Sequence, residues 1–145
     1  MIVTDEQVAT MRAQLAGDRE EYERLWAQLD RDAAKMGYTA LIAGAFIEAV
    51  ERRFAQAGTR TDVIEFVADV RSRVDELSAK IDPLTAERLI VAVYTDEEID
   101  DLDANTVVRT QMLLLAALVA DERFDDAALD DFLGKARSQG DLLLS

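Results

Sequence analysis

Apolar side chains recur every three or four residues along most of this chain, and a single proline interrupts them. Such stripes cover residues 22–36, 46–54 and 63–77. This spacing places the apolar side chains on one face of a helix. No segment alternates apolar and polar residues between turn pairs such as Asn-Gly, as a strand would. The sequence therefore predicts an all-α fold.

Several helix starts can be predicted from residues that cap a first turn. Asp82 before Pro83 is typical of a cap followed by the first helical residue. Gly17, Gly37 and Gly58 are expected helix stops. A Thr or Asp followed three residues later by Glu or Gln forms a capping box. Three pairs fit this pattern: Thr4 with Gln7, Asp18 with Glu21, and Thr95 with Glu98.

The length of 145 residues is typical of one domain with one core. We expect a single domain over residues 1–145, built as a compact bundle of about six to seven helices. The segment at about 105–120 is apolar nearly all round in its second half, so we expect it to be the central helix. A minor division near residues 80–83 is the alternative, although an ordinary helix connection is the better interpretation.

The chain has no cysteine and no histidine. Disulfides, thiolate nucleophiles, cysteine-ligated metals, serine–histidine catalysis and histidine–zinc sites are therefore excluded. Neither a glycine-rich phosphate loop nor a dinucleotide-binding glycine turn is present. We expect no cofactor, and the chemistry that remains is that of carboxylates with a hard metal such as Mg²⁺.

Negative charge is concentrated late in the chain. The net charge is −14, and residues 96–131 hold 12 acidic and 2 basic residues. Such a field repels nucleic-acid phosphates and anionic lipid head groups, and it attracts basic proteins. We therefore expect no direct nucleic-acid binding, no membrane binding and a basic or partly apolar protein partner.

Two acidic clusters flank the expected central helix, and they are the candidate partner-binding residues. The three leucines before Ser145 are expected to dock on the core rather than on a partner. The candidate residues are Asp96, Glu97, Glu98, Asp100, Asp101, Asp103, Asp121, Glu122, Asp125, Asp126, Asp130 and Asp131.

Asp101, Asp103 and Asn105 have the spacing of the first three ligands in an EF-hand calcium loop. The sixth position of such a loop needs glycine and is Thr106 here, whereas the twelfth needs glutamate and is Met112. We therefore expect an acidic approach to the next helix, favoured by the helix dipole, rather than a calcium site.

Glu20 and Glu23 form one E-x-x-E motif, and Glu48 and Glu51 form a second. Paired motifs of this kind are similar to the magnesium site of the MazG-like all-helical nucleoside triphosphate pyrophosphatases. The resemblance implies these four residues as Mg²⁺ ligands, although that family usually has aspartate where Glu51 stands. The alternative is that they lie on solvated helix faces.

Residues 118–133 resemble the helix-loop-helix of the tellurite-resistance TerB-like domains. An apolar helix ends in Asp121, Phe124 is expected to be buried, and Asp125 is expected to cap the last helix. The family's glycine after the first aspartate is Glu122 here, so the resemblance implies no metal site.

These features favour a non-enzymatic, acidic helical module that binds another protein, such as an inhibitor, an immunity-like protein or a regulatory adaptor. One alternative is a Mg²⁺-dependent nucleotide hydrolase, and another is a homo-oligomeric structural protein. We expect a cytoplasmic protein, because the first residues show no basic segment followed by an apolar one.

Overall fold

The structure, a computed structural model, describes residues 2–54, 59–73, 75–95 and 97–145. These residues form eight helices and no strand, which confirms the all-α prediction and exceeds the expected number of helices by at least one. The helices are α1 (Asp5–Leu15), α2 (Arg19–Gln28), α3 (Arg31–Phe54), α4 (Arg60–Arg73), α5 (Asp75–Lys80), α6 (Pro83–Tyr94), α7 (Ala104–Glu122) and α8 (Asp126–Leu144).

Most of the predicted helix starts are confirmed. Thr4 caps α1 through a complete capping box with Gln7. Asp18, Asp82 and Asp125 cap α2, α6 and α8, because each carboxylate accepts a hydrogen bond from a backbone amide of the first turn. These short-range interactions satisfy amides that have no partner inside the helix.

Two of the predicted helix boundaries were wrong. Thr95 ends α6 instead of starting a helix, and its hydroxyl donates to the carbonyl oxygen of Val91. Gly37 lies inside α3 instead of stopping it. Gly17 follows α1 with a positive φ of 78°, as expected of a stop. Gly58 lies outside the described residues.

The expected central helix at about 105–120 forms as α7, but α3 is the more deeply buried helix. In α3, 12 of 24 residues are buried, against 5 of 19 in α7. The physical reason is that α3 carries small residues, such as Ala40 and Gly44, at which a neighbouring helix approaches closely.

The chain divides into two compact units. The first comprises Met1–Glu48 and Val119–Ser145, and the second comprises Ala49–Leu118. Residues 80–83 lie within the second unit, between α5 and α6.

In the first unit, α8 holds the segment that precedes α1. The amide of Val3 donates to the carboxylate of Asp141 at 2.7 Å, and the Arg137 guanidinium donates to the carbonyl oxygen of Val3 at 2.9 Å. Arg137 also pairs with Asp5 at 2.6 Å. Val3 is fully buried, so these bonds fix the start of α1 on α8.

The first unit also contains a close crossing of α3 and α8. A Cβ atom added to Gly44 would lie 2.5 Å from the carbonyl oxygen of Ala136 and 2.6 Å from the amide nitrogen of Gly140. A Cβ atom on Gly140 would lie 3.1 Å from the carbonyl oxygen of Ala40. The two backbones therefore touch where each helix has a small residue at positions i and i+4.

In the second unit, α4 packs on α5 and α6. Arg71 on α4 donates to the carbonyl oxygens of Ser78 and Ile81, both at 2.9 Å, and so satisfies carbonyl groups at the end of α5. The rings of Phe54 and Phe66 meet edge to face at 5.6 Å between centroids. These contacts fix α4 against the end of α3 and against the elements that follow it.

One described helix, α3, is long and apolar enough to cross a membrane by length and composition. Within its most apolar stretch, 61% of the residues are buried inside the protein. A core helix meets the same criterion, so this is weak evidence for a membrane span.

The crossing of α3 and α8 can be tested with Gly44→Ala. We expect this change to lower the free energy of unfolding by about 1–3 kcal/mol, because the new methyl group overlaps backbone atoms that cannot rotate away. Urea unfolding followed by circular dichroism measures the loss. The matched control is Gly134→Ala on α8, where a Cβ atom meets nothing within 4 Å. It should raise stability by up to about 1 kcal/mol through helix propensity. Equal effects of the two changes would contradict the close crossing.

Candidate functional site

The acidic loop, residues 97–103 between α6 and α7, is held by two arginines of the second unit. Arg60 on α4 pairs with Glu97 at 2.9 Å. Arg88 on α6 donates to both carboxylate oxygens of Asp101, at 2.8 and 2.9 Å, and to the carbonyl oxygen of Glu98 at 3.0 Å. The paired geometry of Arg88 and Asp101 is the stronger of the two contacts, because two parallel hydrogen bonds fix both groups.

Three residues, Asp101, Asp103 and Asn105, have the spacing of calcium-loop ligands, and two of them make other contacts. Asp101 is engaged by Arg88, and Asp103 accepts from the amide and the hydroxyl of Thr106 at 3.0 and 3.2 Å. Asp103 therefore caps α7, and Asn105 is an exposed residue inside that helix. Within the described ranges, no group of three or more acidic side chains could hold a metal ion.

Two acids of the acidic loop have side chains without a hydrogen-bond or ion-pair partner among the described residues. The carboxylates of Glu98 and Asp100 are exposed and make no hydrogen bond or ion pair with any residue that the structure describes. Asp96, the remaining candidate of this cluster, lies outside the described residues. Glu98 and Asp100 can therefore be changed without breaking a contact seen in the second unit.

The second cluster, residues 121–131, belongs to the first unit and is tied to α1. Arg12 on α1 pairs with Asp130 at 2.7 Å and with Asp126 at 3.5 Å. The hydrogen bond to Asp130 is the main cause of a raised pKa at Arg12, which stays fully charged.

The other acids of this cluster lie on α7 and α8. On α8, Asp131 pairs with Lys135 at 3.4 Å. Asp121 and Glu122, the other candidates here, are exposed at the end of α7.

The connection between α7 and α8 has the predicted helix-loop-helix form. Arg123 adopts a positive φ of 52°, in the left-handed region that ends many helices. Phe124 is half-buried rather than buried, and its ring lies 5.4 Å from that of Phe132. Asp125 then caps α8, as the sequence predicted.

Glu20, Glu23 and Glu48, the glutamates of the paired E-x-x-E motifs that lie in the first unit, do not form a group that could hold a metal ion. Glu20 is exposed on α2, and Glu23 pairs with Arg19 at 3.2 Å. Glu48 is half-buried in the first unit, whereas Glu51 is exposed in the second. The magnesium interpretation stays a prediction without a geometric observation that favours it.

An exposed aromatic face on α2 was missed by the sequence analysis. Trp26 is 41% exposed, and the centroid of its ring lies 6.0 Å from that of Tyr22 and 5.3 Å from that of Tyr38. Met36, near the start of α3, is 57% exposed. We call the half-buried Tyr22 and the exposed Trp26 the α2 face. The sequence pattern instead predicts one continuous helix face over residues 22–36.

The physical reason for this error is a helix break. Asp30 accepts hydrogen bonds from the amides of Asp32 and Ala33 and starts α3, so the predicted stripe is divided between two helices. None of the residues of α2 is buried. An aspartate before the first residues of α3 was the signal that could have revealed the break.

Tyr38 anchors the α2 face to the core. Its hydroxyl donates to the side-chain oxygen of Gln14 at 3.0 Å. Burial raises the pKa of Tyr38 far above its ordinary value, and burial also raises the pKa of Tyr22. Both phenols therefore stay neutral, and the aromatic rings present an uncharged surface.

Two of the three leucines at the end of α8 do not dock as predicted, whereas Leu144 is half-buried. Leu142 is 70% exposed and Leu143 is 53% exposed. Because α8 stays helical as far as Leu144, consecutive leucines point in different directions and cannot all reach one core.

These residues define the class of protein: it is an all-helical chain with exposed acidic clusters and an aromatic face that is exposed at Trp26. No known protein family, curated protein or solved structure matches this chain. The case for a function therefore depends on the chemistry of its own residues.

Asp101 provides a pH test of the acidic loop. The hydrogen bonds from Arg88 lower the pKa of Asp101 below its ordinary value of 3.8. A lowered pKa means that the ion pair stabilises the fold above pH 3.8 and that this contribution is lost as the pH falls through the folded-state pKa. Asp101→Asn should therefore flatten the loss of stability in acid, measured by urea unfolding at several pH values. Asp100→Asn is the matched control, and an equal response of both variants would contradict the pairing.

Proposed function

We propose that this chain is a non-enzymatic protein-interaction module whose acidic surface steers it toward a basic protein partner. The observation that carries the proposal is the exposure of the acids. Every described residue among the twelve acidic candidates is exposed to solvent. Exposed charge of one sign raises the rate of encounter with an oppositely charged protein.

The internal ion pairs leave most of this charge uncompensated. Residues 97–103 contain five acids, and two arginines, Arg60 and Arg88, pair with them, which leaves a net charge of −3. Surface ion pairs contribute little to stability, and at distances beyond a few ångströms a partner senses the excess rather than the individual pairs. The acidic loop therefore supports steering even though some of its acids are engaged.

Apolar surface supports the affinity part of the proposal. Steering by charge sets the rate of association, whereas buried aromatic and aliphatic side chains slow dissociation. The α2 face offers two residue types, Trp and Tyr, that are enriched in protein interfaces. A module of this kind needs both features.

The steering is tested with a synthetic peptide that forms a helix with lysine on one side and leucine on the other. Glu98→Lys/Asp100→Lys should lower its association rate constant about tenfold at low ionic strength, and added salt should remove the difference. Stopped-flow mixing with the fluorescently labelled peptide measures the rate. Neither acid caps a helix or pairs with a described residue, so the variant should fold.

The matched control is Glu51→Lys/Glu65→Lys, two exposed acids outside both clusters. Each reversal adds two positive charges, so both double variants have a net charge of −10 instead of −14. A smaller effect of the control supports the acidic loop as the steering element. Association that is insensitive to salt and to both variants would overturn the proposed function.

A further inference from the structure

We draw no further inference here: the strongest candidate, the exposed apolar surface of Leu142 and Leu143 at the end of α8, carries none, because nothing in the structure shows what covers it.

Discussion

The contact between the backbones of α3 and α8 is the constraint on which the first unit depends. Gly44 and Gly140 let the two helices approach so closely that a methyl group has no room at Gly44. Helix α8 then fixes the start of α1 through Asp141 and Arg137, and α1 packs against α2. Helix α2 is thus the last in a series of contacts that begins at two glycines, and Trp26 on α2 stays 41% exposed.

Acidic residues serve two physical purposes in this chain. Asp18, Asp82, Asp103 and Asp125 accept hydrogen bonds from first-turn amides and thereby define where helices begin. Other acids form ion pairs with arginines at the surface, where each pair adds little to stability. The excess of negative charge is left for longer-range interactions. A motif that resembles part of a calcium loop is explained by these purposes, since one of its aspartates caps α7 and another binds an arginine.

Local interactions made the fold predictable, and tertiary interactions limited what could be predicted of the site. Caps such as Thr4 and Asp82 depend on residues three positions away, so the sequence pattern is sufficient to identify them. Whether an apolar stripe faces a core depends on what packs against it, and the pattern around Trp26 is the same in either case. Gly37 shows the same limit: its role is to admit the side chain of Gln7 from another helix, which no local pattern reveals. The acidic candidates were identified by composition, but their pairing with Arg12 and Arg88 was not.

The central proposal is that the exposed acids of the acidic loop steer this chain toward a basic protein partner. The association rate constant of the lysine-and-leucine peptide, measured by stopped-flow mixing at a series of salt concentrations, tests it most directly. We expect this rate constant to fall as salt is added to the unchanged protein and to fall less in Glu98→Lys/Asp100→Lys, because dissolved ions screen the charge of the loop. A rate constant that is independent of salt in both proteins would contradict the proposal.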